Sequence, residues 1–511
     1  MLKFRAWWLL LLIIIIGTGL RSVHIETRSL WFDEAFTWRL IQFPVAEMVA
    51  RDIADVHPPL YYLLLKGWAG IFGSSVVALR SFSILAAAGT MAAVYGLANY
   101  ALSSRPAGLL AALLVAITGF QIQVAEEARM YTLGTLLAVI SAWLLLRVLR
   151  EEKPVWLNVG AYGIALAAFA YIHYYAFFSI AAQVLFIGLY LGVATKGRVG
   201  EILHWRLTWR LAASGVVAAL LYAPWVPYFL EQRSRVQQSF WIPLIDKWSI
   251  PDTAYRMFIP TLGLPRWHGG FFVLLSLLPL ILLVAVGIGL GVRTLWQRSA
   301  VRPAVWLVLL CGVVPVVLAA AISRVSQSVY QDRYFVFAHV FLLIAVSYVL
   351  VLVRPRALRY GILAVVLVGM LVAQGRYWRD LNIGQKPGVQ GASAAIFAEP
   401  QKVEAIVTSS PFIFFSLLHY AEERYGAKAL VKLYTEGESV VHFAGGPILT
   451  PENVVHKDIF TTTASTLWVV DTTGFGGQPL VVPAPWRGES KKSFSEVFGY
   501  QGEIIITAYQ R

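Results

Sequence analysis

The chain has 511 residues, 58% of them hydrophobic and 14% charged, with a formal net charge of +14 and a mean hydropathy of +0.66. A soluble protein carries about 25% charged residues, so a soluble globular fold is excluded and a polytopic membrane protein is indicated. Much of the basic excess lies in short loops between apolar runs, which assigns it to membrane topology and not to nucleic acid. Cys311 is the single cysteine and lies inside an apolar run, so the chain forms no internal disulfide and offers no thiolate metal site.

The first apolar run, Trp7 to Leu20, has the length of a signal peptide. No A-x-A-like cleavage site follows it, only Arg21-Ser22-Val23-His24, so it reads as a retained span. About eleven spans are expected, each near the ~20 residues needed to cross the hydrocarbon core. Their centres lie near Ile13, Ala88, Leu113, Ala138, Ala165, Leu185, Val216, Ile281, Leu310, Ile344 and Val366. If the spans alternate, Lys3 and Arg5, Arg105, the Arg147–Lys153 loop, the Lys196–Arg210 loop, Arg293 to Arg302 and Arg354 to Arg359 share one side. By the positive-inside rule that side is the cytoplasm, with the N-terminus inside and the C-terminus outside. The outer segment from Val226 to Gly270 carries Arg233, Arg235, Lys247, Arg256 and Arg266. These cations suit either a phosphate or anionic lipid headgroups.

The first outer segment, residues 21–73, holds short interfacial helices. Asp33 to Gln42 reads as one and Val45 to Val56 as a second, amphipathic one. His57-Pro58-Pro59 breaks it, and Leu60 to Phe72 follows as a helix too short to cross comfortably. After Trp378 polar residues rise and no run could span a bilayer. Val403 to Thr408, Leu430 to Leu433, Thr466 to Val470 and Glu503 to Thr507 read as strands, and Pro411 to Glu423 as a helix. The expected division is a multispanning membrane domain over 1–378 and a small extracytoplasmic α/β domain over 379–511, with a βαβ-like unit that lacks G-x-G-x-x-G.

Polar clusters converge on the outer side. Asp33 and Glu34 sit among Trp31, Phe32, Phe36 and Trp38 at a membrane boundary, where partial desolvation sharpens a carboxylate as a base. The bland alternative is a solvated pair favouring a helix N-terminus. Glu126-Glu127-Ala128-Arg129-Met130-Tyr131 mixes acids, a guanidinium and a phenol within a turn and a half, enough to hold a polar ligand or a cation. His57, with Tyr61 and Lys66 on the following helix, forms a third cluster. His173-Tyr174-Tyr175 is consistent with an aromatic belt apart from its histidine. Arg333, beside Tyr334, suits a phosphate or its neighbour Asp332. A neutral His57 could ligate a metal together with Asp33, although one His and one Asp are not a metal motif. With no Walker or Rossmann signature, an enzyme working outside must draw its activated group from a lipid or from the envelope itself. A lipid phosphate leaves when a cation stabilises it, and the acceptor hydroxyl needs a positioned base.

The stretches Trp31-Phe32-Asp33-Glu34, His57-Pro58-Pro59-Leu60-Tyr61-Tyr62, Glu127-Ala128-Arg129-Met130-Tyr131 and Arg333-Tyr334 occur in an order that resembles a bacterial class C (GT-C fold) glycosyltransferase. The chain is similar to the protein mannosyltransferase and lipid A aminoarabinose transferase group over about its first 380 residues. That resemblance implies a polyprenyl-phosphate-linked sugar donor, an envelope acceptor outside the cytoplasmic membrane, and inversion at the anomeric carbon. It gives Asp33 the role of base and Glu34 that of orienting the acceptor or helping to bind a cation. Donor or acceptor binding is expected of His57, Tyr61, Lys66, Glu126, Glu127, Arg129, Tyr131, His173, Arg333 and Tyr334. Relatives have Lys before the proline where this chain has His57. Some class C enzymes use a divalent metal cation and others do not, so a metal stays open, with Asp33 and His57 as candidate ligands. The alternative is a transporter or flippase for a lipid-linked saccharide, which should carry inverted repeats and charges near the midplane. A non-catalytic envelope receptor is a third reading.

Overall fold

The computed structural model describes residues 2–238, 242–260, 302–426, 430–437, 440–497 and 502–511. The expected span at Ile281 and the cation Arg266 lie outside the described residues. The chain forms two compact units: residues 1–23, 57–61 and 82–375, and residues 24–56, 62–81 and 376–511.

In chain order the helices that matter below are α1 (Leu2–Ser22), α2 (Phe32–Gln42), α3 (Val45–Ala54), α4 (Leu60–Phe72), α5 (Val76–Leu102), α6 (Arg105–Ile117), α7 (Gly119–Ala125), α8 (Tyr131–Leu149), α9 (Val155–Ala170) and α10 (Ala176–Ala194). Further on come α11 (Val199–His204), α12 (Arg206–Tyr222), α13 (Val226–Gln238), α14 (Ser249–Phe258), α15 (Arg302–Val325), α16 (Val336–Leu352), α17 (Arg356–Leu381), α18 (Gly388–Ile396) and α19 (Pro411–Tyr425). The three short helices expected in the first outer segment are α2, α3 and α4.

Seven helical stretches among the described residues are long and apolar enough to cross a membrane, or eight if the α6–α7 pair is one bent span. This is a multi-pass membrane protein. The seven cover the expected centres Ala88, Ala138, Leu185, Val216, Leu310, Ile344 and Val366. The bent pair covers Leu113, and the centres Ile13 and Ala165 fall on shorter apolar helices. The 59° bend follows from Thr118, whose extended backbone (φ −70°, ψ 124°) interrupts the helical ladder.

In the first unit α16 is the most enclosed span, packed by α6, α8 and α15. A Cβ on Gly134 would lie 2.6 Å from the Phe337 ring, so the absent side chain is what lets α8 approach α16. Arg21 closes α1 against α6: its guanidinium donates to Gly17 O and Ala116 O at 2.8 Å each and to Val115 O at 2.9 Å.

The second unit is built on a six-stranded sheet of order β3-β2-β1-β4-β6-β5. The strands are β1 (Ala405–Thr408), β2 (Val431–Tyr434), β3 (Val454–Val455), β4 (Thr466–Thr472), β5 (Arg487–Ser495) and β6 (Glu503–Gln510). β1 to β4 pair in parallel, while β6 runs antiparallel to β4 and to β5. α19 is the crossover from β1 to β2, giving the expected βαβ unit, and Gly426 (φ +61°) ends it in the left-handed conformation. α19 buries Ile413 to Ala421 without a gap, because its outer surface receives α2 and α18. α2 is in turn buried at nine of its eleven residues.

Candidate functional site

The second unit holds the acidic pair. Both carboxylates fall in the first turn of α2, which has no side-chain N-cap and where negative charge meets the exposed N–H groups. Glu34 is 0% exposed and faces the equally buried Arg80. Arg80 Nε donates to Glu34 Oε1 at 2.8 Å and Nη2 to Oε2 at 2.7 Å, a two-pronged guanidinium–carboxylate pair. The same guanidinium donates to Ile25 O and Arg28 O at 2.9 Å and to Ser29 O at 3.2 Å. Every face of it is therefore used to fold the strand of chain that leads into α2. Tyr420 OH accepts from Leu30 N–H at 2.8 Å, and the Phe32 ring packs 5.0 Å from Phe412. Asp33, half-buried, is thus carried on a turn fixed from both sides.

Lys66 lies in this unit too. Its Nζ donates to Ile41 O at 2.7 Å and Phe43 O at 2.9 Å, which satisfies carbonyls at the C-terminal end of α2 and places a cation at that pole of the helix. The ammonium expected at a ligand is engaged in holding α2, and Glu34 likewise is engaged with Arg80. Arg80 itself is absent from the sequence-based candidates. The available signal is an arginine at the fifth position of a 27-residue apolar helix, an ionisable residue inside a span.

The first unit gathers a second group. Arg129 Nη2 lies 3.4 Å from His57 Nε2, and Ser83 Oγ donates to Arg129 O at 3.4 Å. His57 is pinned through its backbone: its carbonyl accepts from Gln232 Nε2 at 3.2 Å, and Gln232 Oε1 accepts from Tyr174 OH. Leu60 N–H donates to Tyr171 O at 3.2 Å, fixing the start of α4 to the end of α9. The His173 ring lies 6.2 Å from His57, 6.0 Å from Tyr131 and 4.7 Å from Tyr334. Tyr61 is buried against Phe82. Glu126 is buried at the end of α7 and acts electrostatically on Arg21, while Glu127 is half-buried. Arg333 is half-buried, and the adjacent Asp332 carboxylate is taken by Arg256 Nη1 at 2.6 Å and by the Arg333 N–H at 2.8 Å.

His173 defines the electrostatics. It is 5% exposed, and Tyr175 N–H donates to its Nδ1 at 3.1 Å. Nδ1 is therefore an acceptor, and a neutral ring carries its proton on Nε2. Burial first, then the electrostatic influence of His57 and of the Arg129 and Arg333 guanidinium groups, hold its pKa well below the ordinary imidazole value. Nε2 is buried and has no hydrogen-bond partner among the described residues. A neutral N–H donor without a partner, beside two guanidinium groups, is suited to an anion and costs stability until one arrives.

A divalent cation fits this group poorly. Among the described residues no three His, Cys, Asp or Glu side chains converge on one point. His57 Nε2 faces a guanidinium, whose charge opposes a second cation at the same nitrogen.

The sequence profile of the family described as dolichyl-phosphate-mannose-protein mannosyltransferase matches residues 56–228. No curated protein sequence matches the chain significantly. Among solved structures, ArnT from Cupriavidus metallidurans is 14% identical and aligns over 98% of this chain and 97% of its own, with TM-scores of 0.59 bound to undecaprenyl phosphate and 0.60 in the apo state. The oligosaccharyltransferase AglB from Archaeoglobus fulgidus, in complex with an inhibitory peptide and a dolichol-phosphate, is 11% identical. It aligns over 92% of this chain and 69% of its own, with a TM-score of 0.53. The chain thus has the class C glycosyltransferase fold expected from its motifs.

Proposed function

We propose that the protein is an inverting glycosyltransferase that moves a sugar from a polyprenyl-phosphate-linked donor to an envelope acceptor on the outer face of the cytoplasmic membrane. The observation that carries this reading is the buried, neutral His173, whose Nε2–H has no partner among the described residues, beside Arg129 and Arg333. The group is equipped to receive a phosphate whose negative charge grows as it departs. The fold supports the same reading, since ArnT was solved with undecaprenyl phosphate and AglB with a dolichol-phosphate.

In the proposed reaction Asp33 takes the proton of the acceptor hydroxyl. The acceptor oxygen forms a bond to the anomeric carbon while the bond from that carbon to the phosphate oxygen breaks, with inversion. Arg129, Arg333 and His173 Nε2–H stabilise the leaving polyprenyl phosphate, and Tyr131 and Tyr334 line its site. His57 positions Arg129. Glu34 and Arg80 position Asp33 by fixing the first turn of α2. The basic loops support a cytoplasmic N-terminus and a C-terminal sheet domain outside.

The test is Asp33→Asn, assayed in nanodiscs with a purified polyprenyl-phosphate sugar. Loss of a positioned general base is expected to slow transfer by about 10²–10⁴-fold. Transfer at the wild-type rate, with wild-type amounts of protein in the membrane, overturns the assignment.

A further inference from the structure

The first unit contains a cavity that the proposed reaction does not use. It measures about 560 Å³ and is walled by Trp7, Tyr95, Tyr100 and Trp143, with Asn99 and Arg105 as its polar lining. Its position follows from the helices that build it. On α5, Ser83 touches Arg129, and Asn99 lies sixteen residues further along, about 24 Å at 1.5 Å per residue. The hydrocarbon core is ~30 Å thick, so the cavity sits near the membrane boundary opposite His173.

Its chemistry is amphiphilic. Trp7 and Tyr95 meet edge to face at 6.0 Å. A Cβ on Gly96 would lie 2.3 Å from the Trp143 ring, so the missing side chain lets that indole pack against α5 and form a wall. Neither the Arg105 guanidinium nor the Asn99 side-chain amide has a partner among the described residues. The nearby Arg150 differs: it donates to Tyr100 O at 3.0 Å and lies 4.2 Å from the Tyr100 ring centroid. One cation is spent on the fold and the other is left facing the cavity.

We propose that this cavity is a binding site for a glycerophospholipid with an anionic headgroup, its phosphate on Arg105 and Asn99 and its upper acyl chain against the aromatic wall. Loose helix packing alone explains a void but not an aromatic wall ending in an unpaired guanidinium at headgroup depth. The volume is in the range of sites that enclose a ligand of several hundred daltons.

The test uses the full chain in mild detergent, titrated with phosphatidylglycerol or phosphatidylcholine and read by native mass spectrometry. The wild type is expected to bind phosphatidylglycerol roughly tenfold more tightly, the effect of one charge-assisted contact. Arg105→Gln should abolish the preference and Arg105→Lys should keep most of it. Ala92→Trp, at an exposed position lining the cavity, should weaken both lipids. Equal binding of the two lipids by the wild type, or an unchanged preference in Arg105→Gln, overturns the proposal. Sugar transfer is not the readout, so this result and that of Asp33→Asn are independent.

Discussion

Two buried ionisable groups in this protein are solved in opposite ways. In the second unit Glu34 and Arg80 are both 0% exposed, and each charge meets its complement at 2.7–2.8 Å. The remaining guanidinium donors reach backbone carbonyls. In the first unit His173 is 5% exposed among His57, Arg129 and Arg333, and its Nε2 has no partner among the described residues. A satisfied buried pair fixes geometry. An unsatisfied donor beside like charges costs stability and is retained where a ligand completes it. The first arrangement reads as a clamp on the turn that carries Asp33, and the second as a receptor for an anion.

The largest effect should come from breaking the clamp. Arg80→Met leaves the Glu34 carboxylate buried without a counter-charge and three carbonyls without a donor, an expected cost of about 3–5 kcal/mol. Glu34→Gln keeps an acceptor for Arg80 and should cost clearly less. Thermal unfolding in detergent measures both; equal melting temperatures for Arg80→Met and the wild type would show that the pair does not clamp this turn. The receptor should respond in the reverse sense. Arg129→Gln is expected to weaken polyprenyl phosphate binding by about 1.5–3 kcal/mol, roughly ten- to hundredfold, with stability changing by less than about 1 kcal/mol. A variant that loses more stability than affinity would make the cluster structural.

The contrast shows why some of this was legible in the sequence and some was not. The helices α2, α3 and α4 are marked by apolar spacing and by Pro44 and His57-Pro58-Pro59, and the strands β1, β2, β4 and β6 by short β-branched runs. β5 escapes, because Arg-Gly-Glu-Ser-Lys-Lys-Ser has no apolar alternation; it exists through its pairing with β6. Arg80 escapes because its partner is 46 residues away and no local pattern reports a long-range ion pair. Lys66 and Glu34 are visible as charges, but their tasks depend on the carbonyls and the guanidinium that folding brings to them. The motif around Glu127-Ala128-Arg129 is local and therefore readable, whereas the burial that makes His173 neutral is not.

A third buried ionisable group sharpens the comparison within the second unit. Glu496 accepts from Val389 N–H at 2.7 Å at the start of α18, yet burial pushes its carboxyl up to about 7. Between the ordinary glutamate value and that value the folded state holds a proton the unfolded state has lost, so stability falls as pH rises through this window. Glu496→Gln should therefore be more stable than the wild type at pH 8, by about 2–3 kcal/mol, and equal to it near pH 5. An unchanged pH dependence of melting would show that the hydrogen bond from Val389 outweighs the burial.

His173 should give a slope of the opposite sign. Its folded pKa is depressed, so below about 6.5 the unfolded chain takes up a proton that the folded protein refuses. Stability then falls with acidification by about 1.4 kcal/mol per pH unit and is flat above pH 7 as far as this group is concerned. The measurement is the difference in melting between the wild type and His173→Gln at pH 7.5, 6.5 and 5.5, which cancels the other titrating groups. Bound polyprenyl phosphate should flatten the wild-type slope, because an anion at Nε2 favours the imidazolium that burial and Arg129 disfavour. A slope that persists unchanged with saturating lipid phosphate would place the anion away from His173 and leave that donor without the ligand assigned to it.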